Sequence, residues 1–194
     1  MSDILSALKS ETAEWHARVE ASLPVLSETF DRASYIRLLE RFYGFYAPLE
    51  KEIARAAACL DTLLPDWQKR LRLPLLAADL CWFCRTPSDL EAIPVCSALP
   101  ELKSAEQIFG SLYVTEGATL GGQIISRHLA KSLSVSPAAG AAFFSAHGYA
   151  TGLMWRVFTT ALRQVASTAN QRQIIKSAEH TFEAFWLWLS KPSV

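Results

Sequence analysis

The chain has 194 residues, the length of one domain with room for a sizeable buried core. Lys and Arg number 19 and Asp and Glu number 19, so the formal net charge is zero, and the sequence lacks the basic field that a nucleic-acid or anionic membrane surface would need. Hydrophobic residues make up 51 % and aromatic residues 11 %, with six tryptophans, which points to an extended core or an apolar ligand pocket.

The N-terminus carries no basic segment followed by an apolar run, so no signal peptide is expected and the expected location is the cytoplasm. Ser2 or Asp3 can cap a first helix reaching about Ala21 and stopping before Pro24. Its apolar stripe, Leu5, Leu8, Thr12, Trp15, Val19 and Leu23, follows helical spacing. His16 lies at the edge of that stripe, with Lys9 two turns back and Glu20 one turn on along the same side. A histidine whose far ring nitrogen can be held by a carboxylate suits a metal ligand. A solvated row of charges at a helix edge gives the same pattern.

Asp31 caps an expected second helix from Arg32 to about Leu60, with a bend at Pro48. A third runs from about Asp66 to Cys84, interrupted at Pro74. It ends in Cys81-Trp-Phe-Cys84, a spacing shared by redox motifs and half zinc sites. No second such pair exists, and the four cysteines, Cys59, Cys81, Cys84 and Cys96, should be reduced, so two buried helical thiols are expected here. A short turn or helix around Thr86–Asp89 and a loop over 93–100 follow.

A long helix from about Ser104 to Leu133 contains Gly117, Gly121 and Gly122. Each costs about 1 kcal/mol against alanine in a helix interior, roughly 3 kcal/mol together, so something must offset them. Gly117 and Gly121 share a face bare of side chains, against which a flat ligand or another backbone can lie. The uncharged stretch 132–155 is too interrupted by Pro137, Gly140, Gly148 and Gly152 to span a membrane, and reads as a helix opened at Pro137, broken near Gly148 and resuming through Leu162. Thr168 or Asn170 caps a last helix ending near Leu189. No strand pattern or repeat appears, and the expected fold is all-α, a single domain over 1–194 with about seven helices. Trp82, Phe83, Phe143, Phe144, Trp155, Phe158, Phe182, Phe185, Trp186 and Trp188 are expected mainly in the core, some against a pocket. His128 is near the glycine face, as an alternative ligand or a packing residue, and His147 and His180 are expected to be structural or exposed.

An all-α domain can hold a tetrapyrrole between a helix bearing an axial histidine and a second helix that brings backbone close to the ring. L-K-x-x-T-x-x-x-H-x-x-x-E at Leu8–Glu20 and Y-V-x-E-G-x-T-L-G-G-Q at Tyr113–Gln123 resemble the haem oxygenases, and most closely the biliverdin-producing branch associated with bacteriophytochromes. Q-R-Q-I-I-x-x-A-x-x-T-F at Gln171–Phe182 extends the likeness over most of the chain. The resemblance implies haem b as both substrate and cofactor, with the iron held through His16. It implies Glu20 behind the imidazole, Lys9 at a propionate, Thr12 beside the haem, and Gly117, Gly121 and Gly122 as the distal floor. A C-terminal arginine, Arg156 or else Arg163, meets the other propionate by the same likeness.

Many haem oxygenases carry an aspartate after the first distal glycine to order proton-delivering water, and here that position is Ala118. Tyr113, Arg127, Thr119 or bound water are the alternatives for that task. The implied reaction consumes dioxygen and yields biliverdin, carbon monoxide and ferrous iron. The chain carries no nucleotide fingerprint, so electrons are expected from a ferredoxin, flavodoxin or reductase, and a bacteriophytochrome is a possible user of the product. A haem carrier or sensor of the same fold, or a helical interaction module without haem, are the rival readings.

Overall fold

The computed structural model describes residues 3–191, in which ten α-helices and three 3₁₀ turns follow one another and no β-strand forms. The all-α expectation holds. No helix among the described residues is long and apolar enough to cross a membrane.

The N-terminal helix is two segments, α1 (Ile4–Glu11) and α2 (Ala13–Ala21), meeting at Thr12. The Thr12 hydroxyl donates to the Leu8 carbonyl at 2.8 Å, so the junction keeps its hydrogen bonding. The first cap is at Asp3; Ser2 lies outside the described residues. Helix α3 (Arg32–Arg55) starts at Asp31, whose carboxylate accepts the Ser34 N–H at 2.8 Å. Pro48 sits inside it and can donate nothing to the Gly44 carbonyl four residues back. The Cys96 N–H fills that place at 2.8 Å, so a distant loop satisfies the carbonyl that the proline abandons. The helix ends at Arg55, short of the expected Leu60, and α4 (Ala57–Leu63) follows as a separate element.

The expected third helix is shorter. A 3₁₀ turn, Trp67–Arg70, precedes α5 (Leu73–Trp82), and Pro74 falls in the first turn, where a proline N–H would have had no helical partner anyway. Cys81 and Cys84 are exposed, not buried, because α5 stops at Trp82 and Cys84 turns into the left-handed region at φ 64°. Trp82 is exposed with them, outside the core where the sequence placed it. Helix α6 (Pro87–Ala92) opens on a reciprocal cap between Thr86 and Asp89.

Helix α7 (Ala105–Ser132) carries the glycines, and α10 (Gln171–Ser190), preceded by Asn170, packs along it. A Cβ at Gly110 would collide with the Ile174 carbonyl of α10, so this further glycine on the helix serves close packing. Pro137 opens a turn bridged at Ser136–Gly140, not a helix; α8 (Ala142–Ser145) is one turn long, and α9 (Thr151–Val165) follows a 3₁₀ turn at Gly148–Ala150. Asp79 of α5 accepts the Ala142 and Phe143 N–H groups at 2.7 and 2.9 Å and so fixes the start of α8. Phe42, Phe45, Tyr46, Phe143, Phe144 and Phe185 from α3, α8 and α10 interlock at centroid distances of 4.6 to 6.5 Å and form a rigid aromatic base beside α7.

Candidate substrate cavity

A cavity of about 560 Å³ opens between α2, α7 and the aromatic base. Its volume falls within the roughly 300–1,000 Å³ usual for a small-molecule site. Lys9, Thr12, His16 and Glu20 line it from the N-terminal helices, and Tyr113, Gly117, Gly121 and Gly122 line it from α7. Two motifs almost a hundred residues apart in sequence thus border one space.

His16 is half exposed, with a side-chain accessibility of 56 %, so its ring is not a satisfied core histidine. Glu20 Oε2 lies 3.5 Å from Nδ1, and Phe182 meets the ring edge-on at 5.8 Å between centroids. The carboxylate therefore stands behind one ring nitrogen and leaves Nε2 for a ligand. Buried Thr12 and half-buried Tyr113 line the cavity from the two helices. Burial raises the Tyr113 phenol above its ordinary value, and the polar Thr12 side chain opposes the rise.

The three motif glycines have separate tasks. A Cβ at Gly121 would meet nothing within 4 Å and would project into open space. At Gly117 it would reach Trp155 only at 3.8 Å, an ordinary contact. At Gly122 it would come within 2.8 Å of the Phe144 carbonyl oxygen, so that residue is needed for the approach of α8 as well as for the cavity wall. Ala118 and Thr119 also line the cavity, the Thr119 hydroxyl turning back to the Glu116 carbonyl at 2.7 Å.

Arg127 and Arg156 are exposed on α7 and α9 and do not belong to the cavity lining, so the structure does not bring these two candidates to the other site residues. Arg163 forms a two-pronged pair with Asp3 at 2.9 and 3.0 Å. His128 is half-buried outside the lining and His180 is exposed. Of the aromatic residues expected mainly in the core, Phe143, Phe144, Trp155, Phe182 and Phe185 reach the cavity.

The sequence reading missed a buried charged cluster at the cavity's edge. Glu116, 1 % exposed, accepts from Arg70 at 2.5 Å and from Arg72 at 3.2 Å. Asp66 also pairs with Arg70, at 2.8 Å, and His147 Nε2 lies 2.8 Å from Arg72 Nη2. Burial and the two guanidinium charges push His147 down to about 4. Glu50 accepts the backbone N–H groups of Arg72 and Leu73 at 2.5 and 3.1 Å, and burial lifts its carboxyl to about 7. The available signal was R-L-R-L-P at 70–74, two charges in an apolar stretch, and the glutamate within Y-V-T-E-G.

The haem oxygenase family model matches residues 2–191. A haem oxygenase of Xanthomonas campestris pv. campestris is 32 % identical over 158 residues, covering 80 % of this chain and 88 % of that one. Among solved structures, the NO- and CO-bound haem oxygenase of Neisseria meningitidis has a TM-score of 0.78 at 21 % identity, over 97 % of this chain and 91 % of that one. The haem oxygenase of Leptospira interrogans has a TM-score of 0.77 at 22 % identity, over 97 % and 99 %. At these identities the structural likeness speaks for the fold.

Proposed function

The chain belongs to the haem oxygenase family and is a haem-degrading enzyme, and we propose that it holds haem in the 560 Å³ cavity with His16 as the iron ligand. The observation that carries this reading is the convergence of His16 and the unobstructed Gly121 on one space. When bound, haem supplies the site at which dioxygen is activated, and it is itself cleaved to biliverdin, carbon monoxide and ferrous iron.

The chain's own residues prepare that site. Glu20 fixes the imidazole tautomer from behind and keeps Nε2 directed to the iron. Lys9, on the same flank, neutralises a propionate. Gly117 and Gly121 let α7 approach the ring, and the Phe143, Phe144, Phe182 and Phe185 side chains exclude water from its apolar edge. Thr12 and Tyr113 line the cavity from the two helices next to the ring. Electrons come from a separate donor of ferredoxin, flavodoxin or reductase type, and a bacteriophytochrome is a user of the product. Both belong to this proposal, as does a cytoplasmic location.

Haemin titration followed by reduction in air tests it. The expected result is a histidine-ligated Soret band that decays into biliverdin absorption, with His16→Ala losing the histidine signature and recovering part of it with added imidazole. A Soret band that persists under a competent reductant would make the protein a carrier or sensor. A His16→Ala protein with an unchanged spectrum would remove the assigned ligand.

A further inference from the structure

Helix α5 ends in a hydrogen-bonded cap built from the C-x-x-C segment. The Arg85 N–H donates to the Leu80 carbonyl at 3.1 Å and the Cys84 N–H to the Cys81 carbonyl at 3.0 Å, the bonding pattern of a Schellman cap. Cys84 holds the left-handed position of that cap at φ 64°, where glycine is the favoured residue. The cap gains nothing from a cysteine there, and its exposed side chain fills no core space. Cys81, at the other end of the same turn, is exposed as well.

The turn brings the two cysteines together. A backbone hydrogen bond between residues three apart keeps their Cα atoms under about 7 Å, the outer limit for a disulfide. Among the described residues no group of three or more His, Cys, Asp or Glu is placed to hold a metal ion, so the pair stands as a dithiol without further ligands.

The residues between the cysteines connect this turn to the cavity wall. Trp82 Cδ1 and Phe83 Cζ each lie 2.8 Å from where a Cβ on Gly140 would stand, so both rings rest on that glycine. Phe83 meets Tyr35 edge-on at 5.8 Å between centroids, and the Tyr35 hydroxyl donates to the Gly140 carbonyl at 2.8 Å. Asp79, two residues before Cys81, holds the Ala142 and Phe143 N–H groups. Phe143 and Phe144 then line the cavity. The last turn of α5 is the support on which α8 rests.

We propose that Cys81 and Cys84 form a reversible dithiol–disulfide site that, when oxidised by a low-molecular-weight disulfide, pins the end of α5 against the α8 wall of the cavity. One cysteine thiolate attacks a sulfur of the oxidant, which gives a mixed disulfide and releases one small thiol. The second cysteine thiolate attacks the protein sulfur of that mixed disulfide, which closes the Cys81–Cys84 bond and releases the second small thiol. The two cysteine protons end on the two small thiols, and the electron pair given up by the cysteines reduces the oxidant's S–S bond. A small dithiol in excess reverses both steps. The cross-link suppresses fraying of the helix end that carries Asp79, Trp82 and Phe83.

The test treats the full-length apoprotein with glutathione disulfide and then with dithiothreitol, and reads peptide masses and amide hydrogen exchange. Cys81→Ser and Cys84→Gly are compared with wild type, and the second keeps the cap because glycine suits the left-handed position. Wild type should lose two hydrogens in a peptide linking Cys81 to Cys84 and regain them with dithiothreitol. Each variant should instead retain a glutathione adduct on its remaining thiol. The Ala142 and Phe143 amides should exchange about threefold or more slowly in oxidised than in reduced wild type, with no such difference in Cys84→Gly. A stable glutathione adduct on wild-type Cys81 or Cys84, or a disulfide mapped to Cys59 or Cys96, overturns the proposal. So does a Cys81–Cys84 disulfide that leaves exchange at α8 unchanged. None of these readouts uses haem, so their failure leaves the haem-binding reading standing.

Discussion

Gly122 of α7 lies so close to the backbone of Phe144 that an added Cβ would stand 2.8 Å from its carbonyl oxygen, whereas one added to the adjacent Gly121 would touch nothing within 4 Å. Adjacent glycines therefore answer to different demands. Gly122→Ala should destabilise the apoprotein by about 1–2 kcal/mol, overpacking outweighing the gain in helix propensity. Gly121→Ala should raise apoprotein stability by up to about 1 kcal/mol and weaken haemin binding. Urea denaturation and haemin titration of both variants measure these opposite outcomes. A Gly122→Ala protein more stable than wild type would show that α8 yields.

Glu116 is the shared acceptor of Arg70 and Arg72. Glu116→Leu leaves Arg72 with His147 and Arg70 with Asp66, and should cost about 3 kcal/mol, the low end for a broken buried ion pair because Asp66 still neutralises one charge. Adding Arg72→Met to Glu116→Leu should restore part of that loss, since the stranded charge goes with it. A double-mutant cycle by denaturant unfolding reads the coupling, and strict additivity would deny it.

His147 supplies a pH dependence of definite sign. Its folded value of about 4 lies below the ordinary 6.5, so the unfolded chain binds the proton more readily. The group takes nothing from stability above about pH 6.5 and withdraws stability progressively as pH falls towards 4. His147→Gln should therefore lose less stability than wild type between pH 7 and pH 4. Asp79 acts in the opposite sense: burial raises it to about 6 from 3.8, so its contribution is present below the lower value and is lost as pH rises through the higher. Unfolding of wild type and the His147→Gln and Asp79→Asn variants at several pH values separates the two.

Lys9 lines the cavity, while Arg163 is paired with Asp3. Lys9→Ala should weaken haemin binding by about two- to fivefold, as for loss of one solvent-screened ion pair. Arg163→Ala should leave haemin affinity unchanged. Equal losses in both variants would show that the Asp3 pair opens to release Arg163 to the substrate.

Local periodicity was enough to put the N-terminal candidates on one helix face. Lys9, His16 and Glu20 fall on one side of a helix because its pitch is set by the backbone, and the structure places all three on the cavity. Helix α3 runs on through Pro48, and the break expected at Pro74 is absent from α5. Cys96 supplies the missing donor at Gly44, and Pro74 falls in a first turn that tolerates it. The Cys81–Cys84 pair was read as two buried thiols because no second such pair accompanies it, yet α5 ends beside it and leaves both thiols in solvent.

The sequence alone determined that this chain is helical, that its charges balance, and that one helix bears a histidine and carboxylate at ligand spacing and another a run of glycines. Each of these is a property of residues a few positions apart. Tertiary structure decided which glycine faces the cavity and which faces Phe144, because a glycine has no side chain to declare its neighbour. It also decided that Arg72, Glu116 and His147 form one buried cluster, because ion pairs between distant segments are made by packing and leave no periodic trace in the sequence.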